Sequence, residues 1–144
     1  MVGILIIAHG TLGESLIQCA EHVLGARPSD VLSLGVAGGA DPEQLLQQAR
    51  VLIDQLDQGA GVLVLTDMCG GTPANVAASA AVAGRVEAVA GVNLPMFVRA
   101  LTYRSQSLEA VCEKAMSGGR EGVGVLGKMG VNAQVCLERR RATG

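Results

Sequence analysis

The run Ile4-Leu5-Ile6-Ile7 is apolar at every position, so a strand built from it has no face that can meet water. Such a strand belongs inside a parallel sheet covered by helices on both sides. A second run of the same kind, Val62 to Leu65, asks for the same shelter. The first run stops at His9 and Gly10. Thr11, Gly13, Glu14 and Ser15 then open a helix, and Leu12, Leu16, Cys19, Ala20, Val23 and Leu24 recur at helical spacing. His9 is thereby expected at the carboxyl end of a buried strand, just ahead of a helix N-terminus, where open α/β sheets bind ligands. A histidine there can be a metal ligand, an acid or base, a nucleophile or a packing residue, and the rest of the chain has to decide among these.

The chain has 144 residues, enough for one core and not for two. It has no Trp and a single aromatic pair, Tyr103 and Phe97, so the core has to be made of Val, Leu, Ile and Ala around many glycines. That composition suits helices packed closely on a sheet and favours α/β over a sandwich. No apolar run approaches the roughly 20 residues that cross a bilayer, and a signal-peptide start is missing, so the expected compartment is the cytoplasm. Cys19, Cys69, Cys112 and Cys136 form no C-x-x-C pair, which suggests neither a zinc site nor a disulfide framework. Arg139, Arg140 and Arg141 hold three of the eleven Lys and Arg residues; without them eight bases face thirteen acids, a net charge of −5 that argues against nucleic acid as a partner.

Between the two apolar runs, Val31, Leu32 and Leu34 make a short strand ending at Gly35. Asp41, Pro42 and Gln44 then start a helix that runs to about Leu56. Val86 to Ala90 is a fourth strand, interrupted by Glu87 and so placed near an edge. Helices are expected over Met96 to Tyr103 and Leu108 to Met116, the second ended by Gly118 and Gly119. Val123, Val125 and Leu126 read as a last short strand, and Val131 to Leu137 as a further strand or an ordered tail. The expected fold class is α/β, an open and mainly parallel sheet of about four strands flanked by helices.

Met68-Cys69-Gly70-Gly71-Thr72-Pro73 is the second informative stretch. Thr72 suits an N-cap and Pro73 the first position of a helix through Ala83. Gly70 and Gly71 permit turns in which several N–H groups point into one concavity, an anion site reinforced by the helix dipole. The lysine of a Walker loop is missing, so a single phosphoryl group fits better than a nucleotide; a plain glycine turn is the alternative. His9, Asp67, the Gly70 to Thr72 turn and Asn93 share one rim of the sheet. If the first and third strands are neighbours, Asp67 can accept from Nδ1–H of His9 and leave Nε2 unprotonated and nucleophilic. The same pair could orient a general base or bind a metal, though with only one histidine; His22 lies mid-helix toward solvent.

Four ordered features now coincide: the strand ending in His9-Gly10; Asp67 with Gly70-Gly71-Thr72-Pro73 and Asn75; Gly91-Val92-Asn93-Leu94-Pro95-Met96; and Gly119-Arg120-Glu121-Gly122-Val123. Together, over about Gly3 to Leu126, they resemble the mannose-type IIA component of the bacterial phosphoenolpyruvate-dependent sugar phosphotransferase system. The resemblance implies that His9 takes a phosphoryl group from the phosphocarrier protein HPr and passes it to a IIB partner. It also implies a homodimer in which the last strand is exchanged between subunits. In the mechanism expected here, His9 attacks through Nε2 and Asp67 stabilises the charge that develops on the ring. Backbone donors near Gly10 and at Gly70, Gly71 and Thr72, with the Thr72 hydroxyl, hold the phosphoryl oxygens. No cofactor or metal is called for.

Met68 and Asn93 are candidate partner-contacting rim residues, and residues 1–126 form the carrier domain with 127–144 as a basic-ended extension. Members of the family often carry an aromatic residue near Cys69 and a serine where Thr72 stands. The chain also ends without the linker and IIB domain that some members have, so its acceptor is expected to be another protein, with peripheral association to a membrane sugar permease. A second reading is a stand-alone regulatory phosphoprotein whose His9 state controls a binding partner. A third is a Cys/His hydrolase using Cys69 and His9.

Overall fold

The computed structural model describes residues 1–129. Four strands, β1 (Gly3–His9), β2 (Val31–Val36), β3 (Val62–Thr66) and β4 (Val86–Ala90), alternate with helices α1 (Leu12–Leu24), α2 (Pro42–Leu56), α3 (Thr72–Ala80), α4 (Leu94–Tyr103) and α5 (Leu108–Glu121); a short α6 (Leu126–Met129) follows. The sheet is all parallel with strand order β2-β1-β3-β4. The two wholly apolar strands therefore lie side by side in the centre, and β4 with Glu87 is at an edge, both as expected.

Successive residues of β1 and β3 point to opposite faces and build two cores. Ile4, Ile6, Leu63 and Leu65 meet α1, α4 and α5, while Leu5, Ile7, Val62 and Val64 meet α2 and α3. Phe97, fully buried on the first face, is the largest side chain in that core. Phe97→Ala is expected to cost about 3–5 kcal/mol, read from urea unfolding midpoints; a loss below about 1 kcal/mol would show that the face collapses around the gap.

The helix-spaced pattern of α1 is buried on a different stripe from the expected one. Gly13, Leu16, Ile17 and Ala20 are inside, whereas Leu12, Cys19, Val23 and Leu24 are exposed. α3 begins with Gly71 as its N-cap, so Thr72 is the first helical residue and caps nothing. It stops at Ala80 rather than Ala83, because Val82 turns back onto Val86 to start β4.

α5 runs straight through Gly118 and Gly119, which were expected to end it. Both are buried against α4: a Cβ on Gly118 would stand 2.9 Å from that of Arg99, and one on Gly119 2.7 Å from Met96 Cε. These glycines serve close helix approach, not helix termination. Val123 to Val125 are irregular and Leu126 enters α6, so within the single chain no described segment pairs with this stretch as a strand. The expected strand at Val131 to Leu137 and most of the basic extension lie outside the described residues. Among the described residues no helix is long and apolar enough to cross a membrane.

At the opposite end of the sheet from His9, Asp57 clasps the α2–β3 turn. Its carboxylate accepts from Gly59 N–H (2.9 Å), Gly61 N–H (3.1 Å) and Arg85 Nε (2.9 Å). The Gly59 N–H, helped by Arg85 and Gly61 against a desolvation penalty, holds this carboxyl below its ordinary value of 3.8. A depressed carboxyl binds its proton more readily when unfolded, so its stabilisation is complete above that ordinary value and disappears as pH falls through the lower folded one. Wild-type Tm is accordingly expected to fall below about pH 4 more steeply than that of Asp57→Asn. Parallel melting curves would remove Asp57 from the acid response.

Candidate active site

His9 is the last residue of β1 and Asp67 the first residue beyond β3. With Ile7 opposite Thr66 in the ladder, the next step along both strands brings the two ends together. One carboxylate oxygen of Asp67, Oδ2, accepts from the His9 backbone N–H at 2.9 Å and lies 2.7 Å from His9 Nδ1. The other, Oδ1, accepts from Met68 N–H at 3.0 Å. Burial pushes the Asp67 carboxyl up, but the hydrogen bonds from His9 and Met68 outweigh it and hold the group below its ordinary range. An ionised carboxylate can only accept, so Nδ1 carries the ring proton of the neutral imidazole and Nε2 keeps its lone pair. The two side chains differ in access: His9 is 54% exposed and Asp67 12%. The imidazole is thus reachable from solvent, while its orienting partner is sheltered.

His9 shares its parity with Leu5 and Ile7 and so leans over the α2 and α3 face, where α3 begins beneath it. The position of a Cβ on Gly71 is 3.3 Å from His9 Cε1 and 3.7 Å from Nε2. The first turn of α3 lacks intrahelical acceptors for its N–H groups and carries the positive end of the helix dipole, and this is the end that lies against Nε2. Gly70 turns the chain into that position with φ +86, which only glycine adopts at little cost. The half-buried Thr72 makes no side-chain hydrogen bond among the described residues and is available at the helix start.

Gly10 shapes the turn beside which backbone donors are expected. Its N–H is already given to the Val36 carbonyl at 3.0 Å, and its left-handed φ of +56 swings the chain from β1 into α1. The turn is accommodated by Gly35, where a Cβ would come 2.5 Å from the Gly10 carbonyl oxygen. Gly35 was not foreseen as part of the site; the only hint was a glycine in a strand otherwise rich in Val and Leu. Asn93, expected at a partner-facing rim, is committed at both ends: Oδ1 accepts from Met96 N–H at 2.9 Å, and Nδ2 donates to the Gly119 carbonyl at 3.0 Å. It caps α4 and ties it to α5, a structural task.

Met68 is 58% exposed, as a rim residue should be, and Leu12 at 41% adds to the exposed apolar surface at the start of α1. Cys69 is exposed, but no hydrogen bond joins it to His9 among the described residues, so the nucleophile–base contact of a hydrolase is missing. His22 is exposed on α1. Among the described residues no three His, Cys, Asp or Glu side chains converge.

Residues 3–116 match the EIIA-man family model, described as the PTS system fructose IIA component. The mannose-specific EIIAB component of Escherichia coli (strain K12) is 35% identical over 128 residues, which cover 87% of this chain and 39% of that protein, so the chain spans about two fifths of that relative. The fructose-specific EIIA component of Bacillus subtilis (strain 168) is 29% identical over 105 residues, covering 72% of this chain and 71% of that one. Among solved structures, phosphotransferase system component EIIA from Streptococcus agalactiae superposes with a TM-score of 0.79 at 22% identity, over 89% of this chain and 99% of that one, a likeness of fold.

Proposed function

This chain belongs to the EIIA-man family of phosphotransferase-system IIA components, and on that premise we propose that His9 is its phosphoryl-carrying residue. The observation that carries the reading is the 2.7 Å contact between His9 Nδ1 and Asp67, with Nε2 left over the start of α3. Nε2 uses its lone pair to attack phosphorus on a phosphorylated HPr. The bond from phosphorus to the donor breaks, its electron pair returns to the donor, and the His9 ring becomes a charged phosphoimidazole. Asp67 stabilises that charge through Nδ1–H, and the first N–H groups of α3 with the Thr72 hydroxyl hold the phosphoryl oxygens. Transfer to a separate IIB protein of sugar uptake runs the same steps in reverse.

Residues 1–126 constitute the carrier unit, acting in the cytoplasm without a cofactor. Exposed Val123, Val125 and Leu126 support a homodimer that covers them. The test is intact mass after incubation with phosphoenolpyruvate, Enzyme I and HPr. An acid-labile gain of one phosphoryl group is expected; no gain under conditions that label a known IIA protein would overturn the reading.

A further inference from the structure

Gly70 and Gly71 are adjacent glycines that exist for different reasons. Gly70 has a left-handed backbone and open space where its Cβ would be. Gly71 has φ −92 and ψ 170, extended values that any residue adopts, and it occupies the N-cap of α3 without giving the helix a side-chain cap. Ser, Thr, Asp and Asn are preferred at that position because their side chains satisfy a free N–H of the first turn. The backbone therefore does not ask for glycine, and the helix, which accepts glycine at its N-cap, would be served slightly better by a capping side chain. The one neighbour that asks for glycine is His9, whose Cε1 lies 3.3 Å and Nε2 3.7 Å from the point a Cβ would occupy; Pro73 Cδ, at 3.6 Å, is in ordinary contact. A local preference given up without a backbone cause is the signature of a functional constraint.

We propose that Gly71 is a positioning residue for phosphoryl transfer, the bare backbone against which the His9 imidazole is seated between Asp67 and the start of α3. The inference rests on the proposed carrier role of His9 and deepens it. The ring is pinned at Nδ1 by the 2.7 Å contact with Asp67, so a methyl group at Gly71 can be relieved only by tilting the Cε1–Nε2 edge. Even a shift of a few tenths of an ångström moves the attacking nitrogen from its line to phosphorus and crowds the space the phosphoryl oxygens need. A side chain able to cap α3 would in addition draw off an N–H donor facing that space.

Gly71→Ala separates this role from a structural one. The expected result is a kcat for transfer from HPr lowered about tenfold, with KM within twofold, a Tm lowered only by what replacing an N-cap glycine with alanine costs, and shifted His9 ring NMR signals that still report Nδ1 as the protonated nitrogen. Gly38→Ala, with open space at its Cβ, should transfer at the wild-type rate. Wild-type kinetics and unmoved ring signals in Gly71→Ala would overturn the proposal. Should that variant not fold, the unaltered protein still decides: a nuclear Overhauser contact between His9 Cε1–H and the Gly71 α-protons is expected, and its absence from a spectrum showing both residues overturns the seat. If the wild-type protein accepts no phosphoryl group, the carrier reading fails, while the ring signals and the Overhauser contact continue to test the seat by themselves.

Discussion

His9→Ala is expected to abolish phosphoryl labelling altogether, while leaving the fold in place. The side chain is more than half exposed and is absent from both buried clusters, so its removal opens no cavity. Asp67 still accepts from the residue 9 backbone N–H, which alanine also supplies, and the β1 and β3 ends remain tied. Loss should therefore appear as zero phosphoryl gain in intact mass with Tm close to wild type. Labelling that persists in His9→Ala would move the acceptor elsewhere on the chain, with His22 as the next residue to remove. Unfolding of the variant would instead make His9 a structural residue, contrary to its exposure.

Asp67→Ala comes second, with an expected slowing of about a hundredfold or more, the usual cost of losing a group that orients and charges a catalytic imidazole. Two losses combine in it. Without the acceptor at Nδ1 the ring can place its proton on Nε2, which removes the nucleophile's lone pair, and the positive charge formed on phosphorylation loses its counterion. Asp67→Asn separates them, because an amide oxygen can still accept from Nδ1–H but carries no charge. A rate for Asn between those of wild type and Ala would assign part of the effect to orientation and part to charge. Full-rate labelling of Asp67→Ala would show that the 2.7 Å contact does not serve transfer at all.

Most of this site could be read from the chain before any coordinates. An apolar run that ends in His9-Gly10 and another that ends at Thr66-Asp67 can only be central parallel strands, and neighbouring parallel strands deliver their last residues to one rim. The glycine turn ahead of Pro73 announced a helix start beside them. Those inferences held because they depend on patterns within single elements and on the handedness of the connections.

The errors came wherever a residue's meaning lay in a contact with a distant one. Gly118 and Gly119 looked like a helix end and are a helix–helix seam, because the decisive fact is the distance to Arg99 and Met96 on another helix. Asn93 was read only as a rim residue, and the structure adds that it bridges α4 to Gly119. Gly10 stood for backbone donors near it, and the structure adds that its own N–H is given to Val36 on a neighbouring strand. The sequence by itself determined the strand–helix alternation, the burial of β1 and β3 and the residues gathered at their carboxyl ends, since periodicity and local backbone preference are written in consecutive residues. Only the tertiary structure decided which glycines are turns and which are contact surfaces, that Asp67 lies 2.7 Å from His9 Nδ1, and that Gly71 lies against the His9 ring, because each of these depends on distances of a few ångströms between residues far apart in the chain.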